Sequence, residues 1–508
     1  FSKELLPPFR DQEMKELRYF CTAGKGMEQF LVQEVISKLS ACDVEHIPGK
    51  VFFTTSAGLE RLRGLKSAER LFLLLKKLPP LPAPWDSDKG KMTRVIQEKI
   101  IGELGDWQQG LSAWLSLQQA AKESRLGPAA SRRSRKRKRD EETGKEEEEE
   151  EGDGSSPAKK QDLQGSPEET PLPAQVLDSA GSVLPGRADH VSEGPSCPAD
   201  VISSSKQPLV SFRVCCRCSG ILARKFSPQE LGRIIGMAIH KRLGWKADLR
   251  EPDLEVNVHL SDAHCILGFP VFRLPLAHRP YIRTTGLRST TAWAMASLAA
   301  IKDGCFVLDP MCGVGTILIE AAKEWQNAFF LGIDINESQL KKARENIQFS
   351  DLTSRIELMK ASVTEIPLPA ASVDAVICDI PFGRKFGCKT DVRIMLPAIV
   401  KEMERVLRVG GTLVLLLSPQ LSAFLGKSFS REPQQNQRPA AGGSEEAGEA
   451  GRASPRLVDQ VTADRVLVSA EGSSSAPMDF PSLVRMGTYR VSLGVTDGLV
   501  QEYKKVIP

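Results

Sequence analysis

No apolar run among the 508 residues approaches the ~20 that a bilayer-crossing helix needs, so no membrane-spanning helix is expected. The eleven cysteines lack any repeating framework, which argues for reduced thiols rather than a disulfide scaffold. A zinc centre needs about four ligands, normally as two separated pairs. Cys215-Cys216-Arg217-Cys218 is the one cluster, no second pair stands at suitable spacing, and no metal site is expected; these cysteines read as buried strand residues. A strong charge of one sign is also missing: the net +4 is small and hides local segregation, so local patches carry the information. The chain starts at Phe1 rather than Met, which leaves the natural start open.

What is present centres on Asp309-Pro-Met-Cys-Gly-Val-Gly-Thr316. Val307 and Leu308 end an apolar strand, Gly313 and Gly315 allow a tight turn with the backbone close to a ligand, and Thr316 opens a helix whose N-terminus faces that ligand. A dinucleotide fingerprint would carry a third glycine where Leu318 stands, so a nicotinamide or flavin loses its main support. Phe329 to Ile333 is the next strand, and Asp334 sits at its tip, 25 positions after Asp309. A carboxylate there can accept both hydroxyls of a ribose, as any adenosine-bearing cofactor requires. Asn336 caps the following helix. Ile356 to Met359 and Val373 to Cys378 are further strands, the latter delivering Asp379-Ile-Pro-Phe382 to the carboxyl edge of a doubly wound sheet. Val392 to Leu407 reads as a helix, Gly410-Gly411 as a turn, and Thr412 to Leu417 as a fifth strand. Val466 to Ser469, Gly487 to Leu493 and Gly498 to Val506 read as closing strands, the last two paired antiparallel.

Ahead of this half, Leu17 to Thr22, Val51 to Thr55 and Leu71 to Leu75 read as strands, with helices over Met27 to Leu39 and Gly58 to Leu65. Helical periodicity spans Met92 to Ala121. From about 127 to 205 the composition turns to Ser, Pro, Gly, Glu and Lys, and disorder is expected. Within it seven of the eight residues Arg132 to Arg139 are basic and precede an acidic tract, a pattern that fits nuclear localisation better than RNA binding, or a merely solvated charge run. Leu209 to Val214, Leu254 to Leu260 and His264 to Phe272 read as strands around a helix opened by the capping box Ser227-Pro-Gln-Glu230 and closed by Gly244. Lys241, Arg242 and Lys246 at that helix end suit RNA phosphate or a solvated rim.

Tyr19-Phe-Cys-Thr-Ala-Gly24, Phe212-Arg-Val-Cys-Cys-Arg-Cys-Ser-Gly220, Asp309-Pro-Met-Cys-Gly313 and Asp379-Ile-Pro-Phe382, in this order, resemble the THUMP-domain RNA guanine N(2)-methyltransferases. The resemblance implies an α/β fold: a Rossmann-like class I methyltransferase domain preceded by an α+β ferredoxin-like and THUMP RNA-binding module. The corresponding boundaries are 1–85 for the ferredoxin-like domain, 86–280 for the THUMP domain with an insert at about 127–205, and 281–508 for the methyltransferase domain with a low-complexity insert at about 426–455. It further implies S-adenosylmethionine as methyl donor, a small nuclear RNA or transfer RNA as substrate with spliceosomal U6 preferred, and a small zinc-binding methyltransferase activator as partner; the basic octet Arg132 to Arg139 sets the expected location as the nucleus, with the cytoplasm as a second compartment. The expected cofactor residues are Asp309, Met311, Cys312, Gly313, Gly315, Thr316, Asp334, Ile335 and Ser362; the catalytic ones are Asp379, Pro381 and Phe382. Ser362 stands where many methyltransferases place an acid for the adenine amine, and Ile380 where the family commonly has a second proline.

Guanine's exocyclic amine is a poor nucleophile because its lone pair delocalises into the ring. Asp379 and the carbonyl of Ile380 or Pro381 can accept its two protons, while Phe382 stacks on the extruded base. Carbon methylation of a pyrimidine would instead need a cysteine nucleophile; Cys312 and Cys378 lie near the site but read as packing residues. A non-catalytic RNA-binding scaffold is the reading from another class. The presence of Gly313, Gly315, Asp334 and Asp379-Ile-Pro-Phe382 speaks against it, and Lys360-Ala-Ser362 for it.

Overall fold

The structure is a computed structural model that describes residues 15–81, 88–143, 210–381, 392–429, 480–494 and 496–507, with backbone only over 124–143 and 428–429. It divides into two units, Phe1–Ala121 with Val210–Pro508, and Lys122–Leu209. The first unit holds both large sheets; of the second, the described part is the end of one helix.

The amino-terminal half runs β1 (Leu17–Thr22), α1 (Glu28–Leu39), β2 (Cys42–Ile47), β3 (Lys50–Thr55), α2 (Leu59–Arg63), β4 (Arg70–Leu78), α3 (Lys89–Ile101), α4 (Leu104–Thr143), β5 (Ser211–Cys218), α5 (Ile221–Lys225), α6 (Pro228–Leu243), β6 (Lys246–Ala247), β7 (Leu254–Leu260) and β8 (Cys265–Pro270). Its eight strands form one sheet in the order β2-β3-β1-β4-β8-β7-β5-β6. The antiparallel β4–β8 pair, with Phe72 opposite Pro270, joins the strands of 1–85 to those of 86–280. The alternation in Leu17 to Thr22 explains the layering. Tyr19 and Cys21 enter the large core shared with the helices, whereas Phe20 enters a small aromatic core with Phe52, Phe72 and Ile266 on the other face. A strand buried on both faces therefore reads as almost continuously apolar. The expected capping box of α6 forms, with the Ser227 hydroxyl accepting the Glu230 N–H and the Glu230 carboxylate accepting the Ser227 N–H.

Strand β2 was absent from the sequence reading because its residues are mostly exposed or half-exposed at a sheet edge, so no apolar alternation marks it. The expected disorder at 127–205 is corrected over its first part: α4 continues to Thr143, through the basic octet. Ala, Arg, Lys and Glu are strong helix formers, and a shortage of apolar residues excludes a packed core rather than a lone helix. Residues 144–209 lie outside the described residues.

The second half runs α7 (Ser289–Leu298), β9 (Phe306–Asp309), α8 (Thr316–Glu324), β10 (Phe329–Asp334), α9 (Glu337–Phe349), β11 (Ile356–Lys360), β12 (Val373–Asp379), α10 (Val392–Val406), β13 (Leu407–Leu417), α11 (Pro419–Phe429), β14 (Leu483–Ser492) and β15 (Asp497–Lys505). The sheet order is β11-β10-β9-β12-β13-β15-β14. The first five strands are parallel, and β15 pairs antiparallel with both β13 and β14. Helices bury apolar residues on both faces, as a doubly wound α/β sheet demands. This is the expected Rossmann-like fold.

Two details differ from the sequence reading. Gly410-Gly411 lies within β13, where the register against β12 jumps from Val373–Leu407 to Ala375–Thr412, so the glycines sit at an irregularity inside one strand rather than between a helix and a strand. Helix α11 occupies 419–429 and buries Leu421 and Leu425, so the insert expected from 426 starts inside a helix. Val466 to Ser469 and 430–455 fall outside the described residues.

Candidate active site

Successive strands run outward on one side of β9 through β10 to β11, then the chain crosses back to place β12 on the other side. Such a reversal opens a crevice beyond the carboxyl ends of the two central strands. Register sets what lines it. Asp309 lies opposite Gly332 of β10, so Asp334 stands two residues farther out; β12 pairs Val376 with Leu308, so Asp379 projects equally beyond. Three carboxylates thus meet at one sheet edge. Among the described residues none of the three has an ion-pair partner; Asp334 and Asp379 are partly exposed, whereas Asp309 is buried.

The glycine turn forms as its residues dictate. Gly313 (φ 53°) and Gly315 (φ 80°) take left-handed conformations that side chains resist. The Cys312 N–H donates to the Ile333 carbonyl (2.9 Å) and the Gly315 N–H to the Cys312 carbonyl (2.8 Å), which folds the turn back onto β10. A Cβ built on Gly313 would meet nothing within 4 Å, so the turn borders open space. Asp334 Oδ2 accepts the Gly313 N–H at 2.9 Å and Oδ1 accepts the Asn336 N–H at 2.8 Å. Each carboxylate oxygen retains a lone pair for a ribose hydroxyl. Asp309 is 1% exposed and accepts the Met311 N–H at 3.2 Å. Burial pushes its carboxyl well above the ordinary range, and the Asp379 and Asp334 carboxylates add to the rise. Asp379 is partly buried, and desolvation pushes its carboxyl up to about 7. An acid that titrates near neutrality at a ligand crevice is suited to proton transfer.

The other expected cofactor residues take distinct places. Met311 packs partly buried beside the β9 and β10 core. Cys312 is 7% exposed, and a Cβ at Gly332 would come within 2.9 Å of its sulfur, so the thiol fills space that only a glycine leaves free. Thr316 is buried, and its hydroxyl accepts the Gly286 N–H at 3.1 Å, which binds the lead-in segment rather than facing the crevice. Ile335 is exposed beside Asp334. Ser362 forms a small bridge with Glu365, and its hydroxyl meets that of Thr364 at 2.8 Å. Pro381 is partly buried at the rim, and Phe382 lies outside the described residues. Ile380 has a specific reason: its side chain is fully buried and its N–H donates to the Leu416 carbonyl at 3.1 Å, a bond proline could not make. Cys378 is fully buried within β12 and its thiol is pushed well up, the opposite of an activated nucleophile.

Sequence reasoning missed the contacts beneath the turn. Arg279 donates from Nε to both Glu320 oxygens at 3.1 and 3.2 Å and from Nη2 to the Lys66 carbonyl at 2.7 Å; Tyr281 donates its hydroxyl to Glu320 at 3.0 Å. Asn346 on α9 holds residues 283–284 and Val314. The available signal was a polar residue inside an otherwise apolar helix stripe: Glu320 amid Ile317, Ile319, Ala321 and Ala322, and Asn346 beside Ala343 and Ile347.

Comparison with known proteins agrees with this fold. Residues 277–437 match the RMKL-like methyltransferase domain and residues 197–269 the THUMP domain. The chain is 45% identical to the U6 snRNA (guanine-N(2))-methyltransferase THUMPD2 of Bos taurus over 96% of each chain. It is 28% identical to the tRNA (guanine(6)-N(2))-methyltransferase THUMP3 of Bos taurus, over 82% of this chain and 84% of that one. Among solved structures, TrmN from Thermus thermophilus superposes with a TM-score of 0.55 at 18% identity, covering 96% of this chain and all of the other, which supports the fold. On its two domains and its identity to full-length relatives, the chain belongs to the family of THUMP-domain RNA guanine N(2)-methyltransferases.

Proposed function

We propose that the protein transfers a methyl group from S-adenosylmethionine to the exocyclic amine of a guanine in U6 small nuclear RNA. The observation that carries this reading is the convergence of Asp334, the open glycine turn and Asp379 on one crevice. The substrate preference rests on the 45% identity to the U6-directed relative, against 28% to the tRNA-directed one.

The donor set fits the proposed cofactor. Asp334 would hold the ribose hydroxyls, the backbone of Gly313 to Gly315 would border the methionine portion, and Ser362 would lie toward the adenine. The partly exposed carboxylate of Asp334, joined by that of Asp379 as it ionises at about 7, favours a cationic ligand over an anionic one. Bound there, S-adenosylmethionine supplies an electrophilic methyl on a positively charged sulfur.

The chain's own residues would do the rest. The Asp379 carboxylate and the carbonyl of Ile380 or Pro381 accept the two amine protons, orient the amine and restore lone-pair density toward the methyl. As the nitrogen gains its methyl it must lose a proton, and Asp379, titrating at about 7, is matched to receive it. Phe382 would stack on the base and Pro381 would stiffen its approach. The attack is a direct displacement with no covalent enzyme intermediate, consistent with the buried state of Cys312 and Cys378. A small zinc-binding activator subunit and a nuclear location complete the proposal; the former follows from the family resemblance, the latter from the basic octet Arg132 to Arg139 and from the U6-directed relative.

The test incubates the purified chain, with and without the activator, with methyl-labelled S-adenosylmethionine and separate U6 and transfer RNA. Label should enter U6 RNA and disappear with Asp379→Ala. Transfer to transfer RNA alone would reassign the substrate, and undiminished transfer by Asp379→Ala would remove the catalytic assignment.

A further inference from the structure

The segment that enters the methyltransferase half is stitched along its whole course to the element that bears the glycine turn. Arg279 and Tyr281 bind Glu320 on α8, and the Gly286 N–H binds the Thr316 hydroxyl at the start of the same helix. Between these points stands a single side chain from another helix. Asn346 is 1% exposed, and its amide makes four hydrogen bonds. Oδ1 accepts the N–H groups of Arg283 and Thr284, both at 3.1 Å; Nδ2 donates to the carbonyls of Thr284 at 2.8 Å and Val314 at 2.9 Å. Val314 is the middle residue between the two turn glycines.

These bonds use all the donors and acceptors a carboxamide commonly offers, and no other side chain of this size offers two donors and a doubly accepting oxygen. Leucine would leave two amides and two carbonyls unpaired, and glutamine would carry the amide one methylene too far. The same lead-in is also tied to the loop between α2 and β4, through Arg279 to the Lys66 carbonyl and through Arg288 to Glu69 at 3.1 Å. Asn346 joins this lead-in to the turn itself, at the Val314 carbonyl.

We infer that Asn346 is a positioning residue that fixes the Gly313–Gly315 turn for the methyl donor by clamping it to residues 283–284. It touches no substrate itself; it sets the backbone that does. This rests on the methyl-donor reading of the crevice.

Asn346→Asp is the informative variant because it keeps the shape. Its oxygens still accept from Arg283 and Thr284, but the carbonyls of Thr284 and Val314 then face a carboxylate instead of a donor. The full chain is titrated with S-adenosylhomocysteine by calorimetry, with RNA affinity and hydrogen exchange of residues 283–286 measured alongside. The expected result is a dissociation constant for S-adenosylhomocysteine raised about tenfold or more, RNA affinity within about twofold of wild type, and faster exchange at 283–286. A folded Asn346→Asp that binds S-adenosylhomocysteine as wild type does would overturn the inference. If Asn346→Asp does not fold, Asn346→Ser is put to the same criterion, and in the wild-type chain S-adenosylhomocysteine should slow exchange at Arg283 and Thr284; unchanged exchange overturns the inference as well. A wild-type chain that binds no S-adenosylhomocysteine would instead remove the functional reading beneath it.

Discussion

Replacing Asp379 by asparagine should make the protein more stable and inactive, and the stability gain should depend on pH in a defined sense. The folded carboxyl titrates at about 7 because burial disfavours its charge, whereas an unfolded aspartate titrates near ~3.9. The folded state therefore holds this proton more tightly. Below pH ~4 the group is neutral in both states and contributes no difference; as pH rises from ~4 to about 7 the unfolded chain ionises first, so native stability falls, and above about 7 the loss is complete. Three pH units at ~1.4 kcal/mol each set a ceiling of ~4 kcal/mol, and partial exposure of the carboxyl brings the expected value to ~1–3 kcal/mol. Asparagine keeps the shape and removes the charge. Urea unfolding should show the variant close to wild type at pH 4.5 and more stable by ~1–3 kcal/mol at pH 8.5. Methyl transfer by the variant should fall by ~10²-fold or more because an amide N–H₂ replaces an acceptor of the guanine amine protons. Wild-type transfer should climb as pH passes about 7 and then level. A stability difference that does not change between the two pH values, or a variant that transfers at the wild-type rate, would refute the reasoning.

Arg279→Met leaves Glu320, which is 0% exposed, without its counter-charge and should destabilise the protein by ~3–5 kcal/mol in urea unfolding. Ser227→Ala removes the side-chain acceptor at the start of α6 and should cost about 1 kcal/mol by the same measurement. Cys312→Ala should retain methyl transfer within about tenfold in the labelled-donor assay, since the sulfur packs against Gly332; loss to background would revive a covalent mechanism.

Much of the fold was legible because local signals agreed with tertiary ones. The bounds of β1, the capping box of α6, the Asn336 cap of α9 and the alternation of strand and helix after Phe306 all depend on residues close in sequence. What escaped depends on partners far away. Strand β2 exists because β3 pairs with it, not because its own residues alternate. Gly410-Gly411 reads as a turn until β12 and β13 are paired around it. Helix α11 was also not read from the sequence, although it begins at Pro419, a residue type that suits a first helical position. In the site, Asp309, the glycine turn, Asp334 and Asp379 could be placed because an open α/β sheet gathers its strand ends at one edge. Thr316 and Asn346 could not, since their partners, Gly286 and residues 283–284, come from a segment with no regular period.

The most direct measurement digests U6 RNA to nucleosides after reaction with labelled S-adenosylmethionine and the chain, and identifies the labelled product by mass spectrometry. The account predicts label in N(2)-methylguanosine, formed by wild type and absent with Asp379→Asn. Label on a pyrimidine carbon, or N(2)-methylguanosine formed equally by the variant, would contradict it.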